Sequence, residues 1–276
     1  MAKRILTAVI WLPIVALLFA YAPIWCIALA ISVLSAIGVY ELLWATGFVR
    51  QKRLCGYSMA FAVLVPFWAY FGSDMHIFLA GLFLLAVVCF LDGMIHHARI
   101  TFEMVSGALF GALIVPCFLS AFLRLEASAG TRLIFALPLV YAFISDAGGY
   151  FIGRFCGKHK LVPELSPKKT VEGAIGAVIF AMAGGLLFGL VAQYGFGLAP
   201  RYLALMLLGV PMSIVSQFGD LTFSYIKREF GIKDYGKIFM GHGGVLDRFD
   251  SVIFAAPALE LLLCVVPIFD GILIYI

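Results

Sequence analysis

The chain has 276 residues, of which 64% are hydrophobic and only 12% are charged, and its mean hydropathy is +1.09. A soluble domain usually carries about 25% charged residues, because a polar surface has to cover its apolar core. The composition therefore excludes an ordinary soluble domain and predicts that lipid covers the chain.

Nine apolar runs are long enough, at about 17–25 residues, to cross a hydrocarbon core roughly 30 Å thick. They lie at about 5–22, 24–45, 56–72, 75–92, 105–123, 132–151, 173–194, 202–226 and 251–274. These runs are predicted to be helices, because a helix satisfies its own backbone groups in lipid. The third and fourth runs are short and closely linked, which leaves eight or ten spans as alternatives. The predicted fold is all-α: a polytopic integral membrane protein with about nine transmembrane helices, forming a single transmembrane domain over residues 1–276.

The distribution of basic residues predicts the orientation of the chain. With nine spans, sixteen of the 19 Lys and Arg residues fall on one side of the membrane and three on the other. Lys and Arg are enriched in cytoplasmic loops, so the N-terminus is predicted to be cytoplasmic. Ten of the sixteen lie in two polar loops, where they could instead belong to a functional site. The orientation therefore rests best on Lys3, Arg4, Arg50, Lys52 and Arg53. The net charge of +4 then reflects topology and local sites, and no nucleic-acid binding is predicted.

Two cytoplasmic segments are polar and rich in glycine, at residues 146–173 and 216–250, and are predicted to be catalytic. If the eighth span stays helical to its end, Asp220, Ser224 and Lys227 share one helix face with Gln217. Asp220 would lie about two turns inside the helix end, where a carboxylate is costly unless it is paired, bound to a metal or facing a wet cavity.

Asp247 and Asp250 form an i, i+3 pair at the predicted start of the ninth span. With Asp220, they place three carboxylates near several cations, which suits Mg²⁺ and a polyphosphate. The turn 241–244 is rich in glycine, so its backbone can approach a ligand and its amides can donate to phosphate oxygens. The alternative is that the aspartates balance the helix dipole and the basic residues are membrane anchors.

Residues 224–250 resemble the signature of the phosphatidate cytidylyltransferases, also called CDP-diacylglycerol synthases. The matching positions are Ser224, Ile226, Lys227, Arg228, Lys233, Asp234, Gly236, Gly241, His242, Gly243, Gly244, Asp247, Arg248 and Asp250. One position departs from the family pattern, because Met240 stands where the family usually has proline.

The other polar segment resembles the same family in two stretches. Residues 146–154 are similar to its D-x-x-A-Y-F-x-G-R stretch, with Gly149 in the alanine place, and residues 166–173 match its S-P-K-K-T-x-E-G loop. In physical terms, Ser166 and Thr170 can cap the helix of the seventh span, and Glu172 falls in its first turn. Lys168 and Lys169 can hold phosphates. Tyr40-Glu41, near the end of the second span, also resembles the family.

The resemblance implies that CTP reacts with phosphatidate from the membrane to give CDP-diacylglycerol and pyrophosphate. It implies Mg²⁺ as cofactor, with Asp220 and Asp247 as principal ligands and Asp250 and Asp146 as further carboxylates; a second, monovalent cation and a homodimer remain open. The implied catalytic residues are Asp220, Asp247, Lys227, Arg228 and His242, with His242 as a positioning group. The implied substrate-binding residues are Ser166, Lys168, Lys169, Thr170, Ser224, Lys233, Gly243, Gly244 and Arg248.

Two other functions remain as alternatives. A CTP-dependent polyprenol or phytol kinase would transfer the γ-phosphoryl group instead of the nucleotidyl group. A transporter would need acidic or polar residues through several mid-spans, and this sequence lacks them. The compact length favours a bacterial inner membrane, with the active site facing the cytoplasm.

Overall fold

A computed structural model describes Phe19 and residues 21–72, 74–129, 131–236 and 243–269, apart from the side chain of residue 128. Some predicted features lie outside these residues. They are most of the first predicted span, the last part of the ninth, and the side chains of Lys3, Arg4, Lys237 and His242.

The described chain is predominantly helical. In chain order its helices are α1 (Ile24–Tyr40), α2 (Lys52–Tyr70), α3 (Met75–Ile95), α4 (Phe102–Leu119), α5 (Ala121–Ala129), α6 (Ala136–Cys156), α7 (Val171–Phe196), α8 (Tyr202–Glu229) and α9 (Leu246–Leu263). A π-helical turn, Glu41–Ala45, continues α1, and a 3-10 turn, Arg132–Phe135, precedes α6. Strands β1 (Lys160–Val162) and β2 (Ser166–Thr170) pair antiparallel between α6 and α7.

Six helical segments of the described chain are long and apolar enough to cross a membrane. They are Ile24–Ala45, Met75–Ile95, Phe102–Ala127, Arg132–Cys156, Val171–Phe196 and Tyr202–Glu229. This confirms the prediction of a helical membrane protein. The third and ninth predicted spans also form helices, α2 and α9, which are not among the six. The count of nine spans and the cytoplasmic N-terminus stay predictions.

Helix ends are where the sequence-based bounds were least accurate. Helix α9 begins at Leu246, so it includes Asp247 and Asp250 as expected, but it starts five residues before the apolar run at 251 and ends at Leu263 instead of near 274. Hydropathy misses the early start, because the first turn contains Asp247 and Arg248 and is stabilised by contacts with other elements. Helix α6 likewise continues to Cys156, past the predicted end at 151.

The chain divides into two compact units, residues 1–124 with 227–249 and residues 125–226 with 250–276. In the first unit α2 packs against α1 and α4. Hydroxyl groups bridge these helices, since Ser32 donates to the Val63 carbonyl and Ser58 donates to the Ala108 carbonyl, each at 3.0 Å. Such bonds satisfy polar groups where water is excluded.

In the second unit α6 packs closely along α7, because glycines remove the side chains that would separate the helices. A Cβ atom on Gly148 would overlap Phe180, and one on Gly176 would overlap Ile152. Helix α6 also bonds to α8, where the hydroxyl oxygens of Ser145 and Ser213 lie 2.7 Å apart. This packing fixes the base from which the β-hairpin projects.

Candidate active site

The predicted site residues form two polar clusters, one in each compact unit. The Asp220 cluster, in the second unit, consists of Asp146, Lys169, Asp220, Ser224 and Ser251. The Asp247 cluster, in the first unit, consists of Glu41, Lys227, Tyr235, Gly244 and Asp247.

Four elements supply the Asp220 cluster. Strand β2 carries Lys169, α8 carries Asp220 and Ser224, α6 carries Asp146, and α9 carries Ser251. The prediction that α8 stays helical past Asp220 is confirmed, since the helix reaches Glu229. Ser224 therefore lies one turn after Asp220, and its hydroxyl donates to Asp220 Oδ1 at 3.4 Å.

The β-hairpin holds Lys169 next to the N-terminal end of α7. The Lys160 ammonium donates to the Pro167 carbonyl at 2.6 Å, which closes the hairpin. Glu172, in the first turn of α7, accepts hydrogen bonds from the backbone N–H of Lys158 at 3.0 Å and from the His159 ring, whose Nδ1 lies 2.6 Å from Oε1. This hairpin and the role of His159 were not predicted, because the paired residues have no alternating apolar pattern.

Thr170 caps helix α7, as the sequence predicted. Its hydroxyl accepts a hydrogen bond from Gly173 N–H at 3.1 Å, and the side chain is buried. The same role for Ser166 was wrong, because Ser166 lies at the start of β2, paired with Val162, four residues before the cap position. Substrate binding by Ser166 and Thr170 stays a prediction.

Replacing Thr170 by Val should lower the melting temperature of the protein in detergent. The change keeps the side-chain shape but removes the oxygen that caps α7, which costs about 1 kcal/mol. Thr170→Ser keeps the hydroxyl and serves as the matched control. Thermal unfolding of both variants checks the role, and equal melting temperatures for Val and Ser would contradict it.

Lys169 and Asp220 form the central contact of their cluster. The Lys169 ammonium lies 2.6 Å from Asp220 Oδ2, and each side chain is about a quarter exposed, at 25% and 27%. The Lys169 nitrogen is itself buried, and beyond this ion pair no described residue accepts a hydrogen bond from it. An ammonium has three donors, so Lys169 has buried donors that an anionic oxygen reaching the cluster would satisfy.

Asp146 adds a second carboxylate to this cluster. It accepts a hydrogen bond from the Ser251 hydroxyl at 3.1 Å, and it lies close enough to Asp220 for the two carboxylates to repel each other and to Lys169 for attraction. Two carboxylates beside one ammonium leave the three ionisable groups with a net charge of −1. Such an arrangement attracts a cation.

The donor set of the Asp220 cluster fits Mg²⁺. Mg²⁺ prefers oxygen ligands and is commonly held by one or two carboxylates, with waters and substrate phosphates completing its shell. Asp146 and Asp220 supply two carboxylates, and Ser224 and Ser251 supply hydroxyls. Among the described residues, no group of three or more His, Cys, Asp or Glu side chains could hold a metal ion, so a site here would depend on substrate and water oxygens.

The Asp247 pair is more deeply buried than the Asp220 pair, and both oxygens of the Asp247 carboxylate have partners. Asp247 Oδ1 lies 2.9 Å from the Lys227 ammonium, with side-chain exposures of 5% and 13%. Asp247 Oδ2 accepts hydrogen bonds from the backbone N–H of Tyr235 at 2.7 Å and of Gly244 at 2.9 Å. The Lys227 ammonium also lies 5.5 Å from the centre of the Tyr235 ring, within cation–π range. Binding of a cation to Asp247 would compete with Lys227.

Glu41 was not among the predicted site residues, although it lies in the centre of this cluster. Its carboxylate accepts hydrogen bonds from the backbone N–H of Val245 at 3.0 Å and of Leu246 at 2.9 Å, and the residue is 1% exposed. The available signal was the family-like pair Tyr40-Glu41 near a helix end. Sequence reasoning could not connect it to residues about two hundred positions later.

The remaining predicted residues occupy the periphery of the described structure. Lys168, Arg228, Lys233 and Arg248 are exposed, as expected for side chains that meet a ligand from solution. Asp250 Oδ1 accepts a hydrogen bond from the N–H of Ser251 at 2.8 Å.

The predicted glycine turn is described only from Gly243 onward. Gly243 has a φ of 81°, and the Gly244 amide donates to Asp247. Phosphate binding by this turn stays a prediction, as does the sharing of one Mg²⁺ site by Asp146, Asp220, Asp247 and Asp250.

Comparison with known proteins identifies the family. Residues 2–266 match the model of the cytidylyltransferase family. The chain belongs to this family. The match covers nearly the whole sequence, including both polar clusters, and it confirms the resemblance drawn from the motifs.

Three curated relatives of this cytidylyltransferase-family chain have the same name. The phosphatidate cytidylyltransferase of Bacillus subtilis (strain 168) is 44% identical over 133 residues, which are 48% of this chain and 47% of the relative. That of Staphylococcus epidermidis is 44% identical over 137 residues, covering 49% and 50%. That of Brucella suis biovar 1 is 46% identical over 131 residues, covering 48% and 46%. The chain thus spans about half the length of the curated relatives it matches.

Proposed function

We propose that this protein transfers the cytidylyl group of CTP to phosphatidate, giving CDP-diacylglycerol and pyrophosphate. The observation that carries the proposal is the match to the cytidylyltransferase family over residues 2–266. The name phosphatidate cytidylyltransferase, shared by the relatives, supports the choice of lipid acceptor. The apolar helices support an acceptor that arrives from the membrane.

The reaction needs neutralisation of charge more than acid–base chemistry. An oxygen of the phosphatidate phosphate forms a bond to the α-phosphorus of CTP, and the bond from that phosphorus to the bridging oxygen breaks as pyrophosphate leaves. The attacking phosphate oxygen is already anionic, so no strong general base is required. Both reactants are polyanions, and bringing them together depends on positioned cations.

Lys169 and Lys227 are the cations best placed for this task, because each is already held by a carboxylate. Lys169 pairs with Asp220, and its buried nitrogen has donors that no described residue satisfies and that a phosphate oxygen would. Lys227 is held more firmly, by Asp247. The exposed Lys168, Arg228, Lys233 and Arg248 would meet the nucleotide first as it arrives from solution.

Mg²⁺ is part of the proposal, held by Asp220 and Asp146 with the hydroxyls of Ser224 and Ser251 nearby. When bound, the ion would neutralise phosphate charge and orient the phosphates of CTP. Asp247 and Asp250 stay predicted ligands. The contacts of Asp247 support another role, which is to hold Lys227 and the backbone of residues 235 and 244 in place.

The proposed location is a bacterial inner membrane, with both clusters serving the cytoplasmic face. The apolar helices support an integral membrane protein, and the organisms of the three relatives are bacteria. The excess of Lys and Arg in one set of predicted loops supports the orientation.

Protein purified in detergent should transfer label from CTP carrying a radioactive α-phosphate into chloroform-soluble lipid when phosphatidate and Mg²⁺ are supplied. The label should be lost on addition of a chelator. A kinase would instead move label from the γ-phosphate into lipid, and a transporter would label no lipid. Absence of α-label in lipid, with folded protein present, would refute the proposal.

The same assay in sealed membrane vesicles tests the orientation, because CTP does not cross a bilayer. Inside-out vesicles should be active with external CTP, and right-side-out vesicles should become active only after permeabilisation. The opposite pattern would refute the cytoplasmic orientation while leaving the proposed reaction intact.

A further inference from the structure

We infer that Glu41 is a positioning residue, which holds Asp247 and its partner Lys227 in place through the backbone of α9. The effect on catalysis rests on the proposed function, whereas the contact between Glu41 and the start of α9 is observed in the structure.

The first observation is the position of Glu41 in the chain. It opens the π-helical turn Glu41–Ala45 that ends α1. Such turns widen a helix by one residue and occur often at functional sites. The side chain is 1% exposed, which is rare for a glutamate unless its charge is balanced by neighbours.

The partners of Glu41 are backbone amides. Oε1 accepts from Val245 N–H and Oε2 from Leu246 N–H, at 3.0 and 2.9 Å. These amides open α9, where the N-terminal end of the helix carries partial positive charge. A carboxylate from the π-helical turn therefore caps α9.

Two glycines show how closely the chain is fitted around this carboxylate. A Cβ atom on Gly236 or on Gly244 would overlap the Glu41 carboxylate. Neither residue has a positive φ, so the close approach to Glu41, not the backbone conformation, requires glycine. Glu41 thus lies against the described chain on both sides of residues 237–242.

Asp247 is bound by one of those glycines, Gly244, and by Tyr235, which precedes the other. It accepts hydrogen bonds from Tyr235 N–H and Gly244 N–H, so four backbone amides in two short stretches serve two carboxylates. Glu41 and Asp247 are also close enough to repel each other. Two like charges this close are favoured only while all four amides donate to the carboxylates and Lys227 stays paired with Asp247.

Glu41→Gln tests the inference, because glutamine has the same shape but presents an NH₂ group to one of the two amides. We expect kcat in the cytidylyl-transfer assay to fall on the order of 100-fold, with KM for CTP changed less than about twofold, since the reacting groups are misplaced while nucleotide contacts remain. Hydrogen exchange in a peptide covering residues 243–250 should become faster. Glu103→Gln, an exposed glutamate at the start of α4, is the matched control and should change neither quantity.

Wild-type kcat in Glu41→Gln would overturn the inference, and so would a loss of kcat with unchanged exchange in residues 243–250. If Glu41→Gln yields no folded protein, Gly236→Ala disturbs the same contact from the other side and should give the same pair of effects. Absence of transfer by the unchanged protein would refute the proposed function, whereas faster exchange in the variant would still support anchoring by Glu41.

Discussion

Asp220→Asn should lower kcat for cytidylyl transfer on the order of a thousandfold, the size expected when one preorganised charge is removed from a site that handles polyanions. The change removes the counter-charge of Lys169 and one of the two carboxylates proposed for Mg²⁺. Stability should fall less than in a fully buried pair, because both side chains are about a quarter exposed, although the Lys169 nitrogen itself is buried.

Asp74→Asn is the matched control for that variant. Asp74 caps α3 by accepting hydrogen bonds from His76 N–H and Ile77 N–H, and asparagine caps a helix about as well. The same chemical change should therefore leave activity and melting temperature near the unchanged values. The measurement is α-label transfer into lipid with the yield of folded protein from size-exclusion chromatography. Turnover within about tenfold of normal in Asp220→Asn would contradict the assigned role.

Asp247→Asn should abolish activity and should also destabilise the protein, more than Asp220→Asn does. The Lys227 ammonium, 13% exposed, would lose its counter-charge. Asparagine has one acceptor oxygen, so its NH₂ group would face either the two backbone amides or the Lys227 ammonium, which are all donors. Leaving one member of a buried pair uncompensated costs about 3–5 kcal/mol. A clear drop in melting temperature in detergent is the expected result.

Lys227→Met combined with Asp247→Asn tests the reason for that drop. Removing the stranded ammonium should restore much of the melting temperature, because a buried pair can often be replaced by neutral groups at little cost. Activity should stay absent, since the lysine proposed to hold phosphate is gone. A double variant no more stable than Asp247→Asn alone would show that the two side chains do not act as a pair.

Much of the membrane architecture could be predicted because hydropathy depends on local composition. The apolar runs near 75–92, 173–194 and 202–226 all lie within helices of about the predicted length. Thr170 could be predicted as a cap for the same reason, since a cap bonds within one turn. Helix α9 was placed less well, because its polar first turn is stabilised by side chains from elsewhere in the chain.

The sequence by itself determined that this is a helical membrane protein of the cytidylyltransferase family, and it identified Asp220, Asp247 and the neighbouring lysines as site candidates. Composition, spacing and motif are all properties of neighbouring residues. Only the tertiary structure decided which charges meet: Lys169 with Asp220, Lys227 with Asp247, and Glu41 with the start of α9. These pairs join residues far apart in the chain, and only packing brings such residues together.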